Sequence, residues 1–317
     1  MGRGAVWLLT EPAMDAHVAS GHPERPDRRT AAAAGVRDAA ADRLVAVACV
    51  EASHEELAAI HEPAYLHLLA DADDRGGGWL DGDTYVADGS LTAARLAAGA
   101  TVQAARAVAA GEADVAFAAV RPPGHHAAAG HGSGFCLLNN VAIAAAALRA
   151  DGLRRVAIVD WDVHHGDGTQ AIFDADPDLL YASTHQLPLY PGTGERSDRG
   201  VGEATGTMHN RPLEPGDGDD AFIGAWHDEL LPAIEAFAPE AILVSAGYDA
   251  HRADPLAHLE VTEAGYRAVA SALGDVCNRL GLPGVALTLE GGYDLDALRA
   301  SVAATVRGLT DGRGLPS

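Results

Sequence analysis

The chain has 317 residues, 48% of them hydrophobic, which is enough to bury the core of one large α/β domain or two small ones. Lys plus Arg number 22 against 45 Asp plus Glu, and the resulting formal charge of −23 repels phosphate backbones and anionic membranes, so neither nucleic acid nor a membrane is an expected partner. The same charge would attract a cationic substrate or serve solubility alone, so it does not choose a ligand.

The N-terminus, MGRGAVWLLTEP, carries an apolar run of only five residues, Ala5 to Leu9, too short for a signal segment or a membrane span. A soluble cytoplasmic protein is expected. Ala5–Leu9 is itself the first predicted strand, followed by Leu44–Cys49, Val115–Val120, Val156–Val159, Leu179–Ala182, Ala241–Ser245 and Val285–Leu289, with an edge strand at Thr205–His209. Between them, Ala- and Leu-rich stretches with charge on one side predict helices over Leu91–Ala110, Asn140–Ala150, Asp219–Phe237 and Glu263–Leu280. Short apolar strands alternating with helices describe a largely parallel sheet covered on both faces. The Gly- and Asp-rich stretches Asp71–Asp83 and Pro191–Gly206 are too short to be interdomain linkers, so residues 1–317 read as a single α/β domain. Cys49, Cys136 and Cys277 are widely spaced and odd in number, and they read as reduced thiols.

Polar residues gather where four of these strands end, and in open parallel sheets ligands collect beyond the carboxyl edge. After Val115–Val120 comes Arg121-Pro-Pro-Gly-His125-His126, a stiff turn carrying paired histidines that reads equally as catalytic or as structural. The strand ending at Val159 runs into Asp160-Trp-Asp162-Val-His164-His165-Gly-Asp167. In extended geometry Asp160, Asp162 and His164 share one side, and carboxylate and imidazole together suit zinc or another divalent metal. A solvated Asp/His loop is the alternative, but a buried strand feeding directly into the cluster argues against it. A third cluster, Ser245 to Pro255, includes Asp249 and Asp254 and can supply a second carboxylate ligand, although Asp254 before Pro255 could simply start a turn. The fourth, Glu290-Gly291-Gly292-Tyr293, pairs glycines that permit close backbone approach with a Tyr that could point inward or pack in the core.

Six segments carry a resemblance to a known family: HPERP at His22–Pro26, RPPGHHA at Arg121–Ala127, GFCLLNNVAIA at Gly134–Ala144, VDWDVHHGDGTQ at Val159–Gln170, SAGYDAHRADPL at Ser245–Leu256 and LEGGYD at Leu289–Asp294. Together they span nearly the whole chain. In this the sequence resembles the histone deacetylase-like amidohydrolases, nearer their class II and bacterial acetylpolyamine amidohydrolase branches. The resemblance implies the three-layer arginase/deacetylase fold with an eight-stranded, mostly parallel sheet. It implies a metal triad of Asp162, His164 and Asp254, zinc or alternatively iron(II), and pairs His125 with Asp160 and His126 with Asp167. It implies that His126 acts as general base and then acid, and that Tyr293 donates to the oxyanion. Phe135 and Tyr190 match the aromatic walls of an acyl-lysine tunnel, with Gly134, Leu256, Gly291 and Gly292 beside them, and Tyr190 replaces a more usual Phe. Asp160, Asp162, His164, Ser183 and Thr184 match a structural potassium site.

The implied reaction is hydrolysis of an acyl amide by metal-activated water, on acyl-lysine, an acetylated polyamine or another small amide. Leu256 stands where some polyamine-selective relatives place Glu, which favours acyl-lysine or a neutral amide. An arginase-like ureohydrolase would need a second metal and further Asp ligands late in the chain. A non-catalytic acyl-lysine-binding protein would be expected to lack a ligand, a histidine or the Tyr, and all are present. Oligomeric state is not encoded in any of these features.

Overall fold

The computed structural model describes residues 4–315. Its strands are β1 (Val6–Leu9), β2 (Leu44–Val47), β3 (Gly77–Trp79), β4 (Tyr85–Ala87), β5 (Val115–Ala118), β6 (Val156–Asp160), β7 (Leu179–Gln186), β8 (Met208–Leu213), β9 (Ala241–Ala246) and β10 (Val285–Leu289). Eight of them form one sheet in the order β2-β1-β5-β10-β9-β6-β7-β8. Every neighbouring pair in it is parallel, so the expected mostly parallel sheet is parallel throughout. The remaining two, β3 and β4, make a separate antiparallel hairpin.

The central strands read VAFA, VAIVD, AILVSA and VALTL and are buried along their whole length, as strands covered on both faces must be. Alternation then divides their side chains between two cores. Val115 and Phe117 of β5 face the layer built by helices Asp27–Ala40, Glu263–Leu280 and Leu295–Gly312. Ala116 and Ala118 face the layer built by helices Ser90–Ala109 and Asn140–Ala150. The result is the three-layer architecture that the alternating pattern predicts. Two helices that begin just after polar clusters carry side-chain caps: Asn139 accepts from the Ala142 N–H and Asp294 from the Ala297 N–H. No helix among the described residues is long and apolar enough to cross a membrane.

Three departures from the sequence reading have local causes. The helix expected over Asp219–Phe237 is divided into Asp219–Ala225 and Leu231–Phe237 by a wide turn at Trp226–Leu230, next to Pro232, which has no N–H to give to the helical ladder. The edge strand expected at Thr205–His209 begins only at Met208, because Gly206 sits at a φ of 103°. Helix Asp27–Ala40 was not expected from its AAAAG run, whose Gly35 lies so close to the Arg299 carbonyl that a Cβ would collide with it.

Strand order positions the site. β10 and β9, late in sequence, insert between β5 and β6, so the four central strands lie side by side and each delivers one polar cluster at its carboxyl end. Phe117 anchors the middle of β5 with no exposed surface. Phe117→Ala should lower the unfolding free energy in urea titrations by about 3–5 kcal/mol, and a loss under ~1 kcal/mol would contradict this packing.

Candidate active site

At the end of β5 the turn bearing the histidines is fixed from β10. The Glu290 carboxylate accepts the backbone N–H groups of Gly124 at 2.6 Å and His125 at 3.1 Å, while the Ser245 hydroxyl donates to its other oxygen at 3.0 Å. Glu290 has no exposed surface, and burial pushes its pKa up to about 7 despite the nearby His125 and the Gly124 N–H.

The two histidines sit with ring centres 4.1 Å apart but in different electrostatic settings. His125 Nδ1 lies 3.0 Å from Asp160 Oδ2, an oxygen that also accepts from the Tyr181 hydroxyl at 2.9 Å. Burial opposes its protonation, but the charges of Asp160 and Asp162 outweigh burial and hold the pKa well above the usual imidazole value. His126 Nδ1 lies 2.7 Å from Asp167 Oδ1. Here burial and the neighbouring His125 charge prevail over Asp167, and the pKa falls to about 4. One imidazole is therefore a cation and its neighbour a neutral base.

The ends of β6 and β9 bring acids together. Asp162, His164 and Asp249 offer ligand atoms that all lie within 4.8 Å of one another. His164 Nδ1 is 3.1 Å from Asp162 Oδ1 and 3.2 Å from Asp249 Oδ2. Burial opposes protonation of His164, yet the hydrogen bonds to Asp162 and Asp249 raise its pKa to about 10. Asp254, the third ligand implied by resemblance, is not in that tight group. It borders it, accepting the N–H groups of Tyr293 at 2.7 Å and Leu256 at 3.0 Å, and burial together with the Asp249 charge lifts its pKa to about 7. The donor set of carboxylates and an imidazole suits a divalent cation of the zinc or iron(II) kind. The backbone is shaped to it as well: a Cβ on Gly247 or Gly291 would collide with the Asp162 carboxylate, and one on Gly291 with Asp249 also.

A cavity of about 210 Å³ opens onto these groups. His125, His126, Asp162, His164, Gly291 and Tyr293 form its inner end, and Gly134, Phe135, Leu189, Tyr190 and Leu256 line it together with Asp83 and Pro123. Gly134 has a φ of 52°, and a side chain there would run into the His126 ring. Phe135 holds a φ of 70°, costly for a non-glycine residue by roughly 1–3 kcal/mol, and donates its N–H to Thr84 Oγ1 at 3.1 Å. The Phe135 ring meets Tyr293 edge-on at 5.9 Å, and Tyr190 meets His126 edge-on at 5.1 Å. A larger open groove of about 610 Å³, lined by Asp38, Arg267 and Arg299 among others, shares no residue with this cavity.

Of the residues matched to a potassium site, Asp160 and Ser183 are partners in the β6–β7 register. The Ser183 hydroxyl pairs with His185 Nδ1 at 2.9 Å, and the Thr184 hydroxyl accepts from Trp226 Nε1 at 3.1 Å, so Thr184 turns its side chain into the core. Gly292, at a φ of 118°, carries the turn into Tyr293 without lining the cavity.

A profile of the histone deacetylase domain matches residues 22–309. The chain belongs to the histone deacetylase family. It is 41% identical over 283 residues to a probable deacetylase of Archaeoglobus fulgidus, covering 87% of this chain and 77% of that one. It is 40% identical over 279 residues to the histone deacetylase-like amidohydrolase of Pseudomonas aeruginosa, covering 87% and 73%. The crystal structure of the HDA15 HD domain superposes with a TM-score of 0.92 at 38% identity, covering 99% of this chain and 90% of that domain. This deacetylase-family hydrolase thus has the arginase/deacetylase fold.

Sequence reasoning left several members of the site without a role. Asp249 has no role legible in the sequence, because its Gly-Tyr-Asp setting does not distinguish it from a turn residue. In the sequence Glu290 shows only as the start of a Gly-Gly-Tyr turn, and Asp83 only as part of an irregular stretch. Glu24 and Arg28, buried behind Tyr293, lie far from the clusters in sequence, although the HPERP match had marked Glu24.

The depressed pKa of His126 gives a signed expectation for the metal-free protein. Unfolded, this imidazole takes up its proton near pH ~6.5. Folded, it does so only near pH 4, so its contribution to stability is complete above the unfolded value and is lost as pH falls toward the folded one. An NMR titration of metal-free protein should show the His126 ring neutral at pH 6, and a ring already half-protonated there would contradict the assignment.

Proposed function

We propose that this chain is a zinc-dependent deacetylase, a single catalytic unit that hydrolyses an acyl amide, acetyl-lysine or a related acylated amine. The observation that carries the reading is the juxtaposition, at the end of one narrow cavity, of a neutral imidazole held by Asp167, a carboxylate-imidazole ligand group and the Tyr293 phenol. Asp162, His164 and Asp254 would hold the metal, with Asp249 beside them as a third carboxylate that accepts the Val163 N–H at 2.9 Å. A cation there would offset the burial and the Asp249 charge that together raise the pKa of Asp254. Zinc or iron(II) in such a site supplies Lewis acidity, polarising an amide carbonyl and lowering the pKa of water.

The chain's own residues divide the remaining work. His126, fixed through Nδ1 by Asp167, leaves Nε2 free to take a proton from the attacking water and to return it to the departing amine nitrogen. His125 stays cationic beside Asp160 and keeps His126 neutral at rest. Tyr293 donates its O–H to the carbonyl oxygen as that atom gains charge. Phe135 and Tyr190 flank an extended methylene chain, and the apolar Leu256 at the wall favours acyl-lysine over a polyamine, whose distal ammonium would need a carboxylate there. A potassium ion at Asp160, Asp162, His164, Ser183 and the Thr184 backbone belongs to the same reading, as does a cytoplasmic location, which three unpaired cysteines support.

The test compares hydrolysis of acetyl-lysine peptides, longer acyl-lysines and acetylated polyamines, with a chelator and with zinc or iron(II) restored. Activity on acetyl-lysine should vanish on chelation and return with metal, and turnover indifferent to the chelator would overturn the reading. Tyr293→Phe should lower kcat by roughly 10²–10³ with metal content intact, the loss of one well-placed oxyanion donor.

A further inference from the structure

Glu24 lies in the HPERP segment, far from the strand ends, yet it has no exposed surface and touches two arginines that are also fully buried. Its Oε1 accepts from Arg28 at 3.0 Å and from Arg121 Nε at 2.7 Å, and its Oε2 accepts from a second Arg121 nitrogen. His17 Nε2 stands 3.6 Å from the same oxygen. Burial opposes the charge on Glu24, but the two guanidinium groups prevail and hold its pKa down at about 2.

Arg28 uses the rest of its donors on the loop that carries Tyr293. Its Nε donates to the Gly292 carbonyl at 2.6 Å, another nitrogen donates to the Glu290 carbonyl, and the guanidinium carbon sits 4.6 Å from the centre of the Tyr293 ring. The planar fork therefore grips two carbonyls of the Glu290–Tyr293 turn and stacks on the phenol at once. Arg121, by contrast, gives its remaining bonds to the carbonyls of Met14 and Glu24 and, at 3.5 Å, to Tyr85, away from Tyr293.

We propose that Glu24 is a positioning residue for the hydrolytic reaction, fixing Arg28 so that Arg28 in turn fixes the Tyr293 hydroxyl at the substrate carbonyl. Without its charge, the two guanidinium groups face each other across a neutral side chain. Gln offers one acceptor oxygen but turns an N–H₂ group toward the other arginine, and like charges buried together move apart. Arg121 keeps the Met14 and Glu24 carbonyls, whereas Arg28 loses its one carboxylate partner and keeps only carbonyls of the Tyr293 loop, so its displacement moves that loop. The inference rests on the deacetylase reading, because it takes Tyr293 as the oxyanion donor.

The experiment is a double-mutant cycle on the zinc-loaded full chain with an acetyl-lysine peptide. Glu24→Gln should lower kcat by roughly 10–100-fold with KM within about twofold, one zinc per chain retained and a cooperative thermal transition. In a Tyr293→Phe background the same substitution should cost less than about twofold more, because the group it positions is already gone. Glu24→Asp, which keeps the charge, should recover part of the loss. Equal losses in both backgrounds, or wild-type kcat in Glu24→Gln, would overturn the proposal while leaving the deacetylase reading in place. An inactive wild-type protein would instead overturn the reading on which it rests. Should Glu24→Gln fail to fold, Arg28→Lys keeps the charge opposite Glu24 but removes the fork, and it must show the same non-additivity with Tyr293→Phe.

Discussion

Three buried carboxylates, Asp162, Asp249 and Asp254, crowd the ends of β6 and β9, and the cost of burying these like charges together is the constraint around which the polar interior is arranged. Carboxylates in such surroundings require either protons or nearby positive charge. The protein answers with His164 between Asp162 and Asp249, with backbone N–H groups from Gly291, Val163 and Tyr293, and with a cationic His125 alongside. A divalent cation is the remaining and strongest answer. The same field separates the histidines into one that holds a proton and one that does not, so acid and base roles follow from where the acids lie.

The fold makes this arrangement possible by sequence order. β9 and β10 carry their clusters to the centre of the sheet only because they insert between β5 and β6, which precede them in sequence. Glycines at 247 and 291 let the strands' ends close on the carboxylates without a side chain between them. Behind Tyr293, the Glu24–Arg28 pair extends the polar network to the N-terminal helix, so that the outer layer of the molecule bears on the innermost hydroxyl.

Much of this was legible beforehand. All seven strands expected from apolar runs are present in the central sheet, and their alternation with Ala-rich helical stretches foretold two covering layers. What escaped had physical reasons. A helix whose face is mostly Ala, such as Asp27–Ala40, shows too little apolar contrast to register as periodic, and a proline one turn downstream reshaped Trp226–Leu230 without altering the composition of that stretch. In the site, clusters that directly follow strands could be read from local spacing. Asp249, Glu290 and Glu24 could not, because their roles depend on which strands become neighbours: Glu290 on β10 reaching the β5 turn, and Glu24 meeting Arg121 ninety-seven residues away.

If the cost of burying these acids together is the organising constraint, metal binding must be written into stability as well as catalysis. Zinc titrated into chelator-stripped protein, followed by calorimetry and thermal unfolding, is the most direct measurement. One ion per chain should bind, and the transition temperature should rise with free zinc as mass action requires for a ligand of the folded state. Zinc that left the transition temperature unchanged, or bound no better to this protein than to its Asp162→Ala variant, would contradict the account.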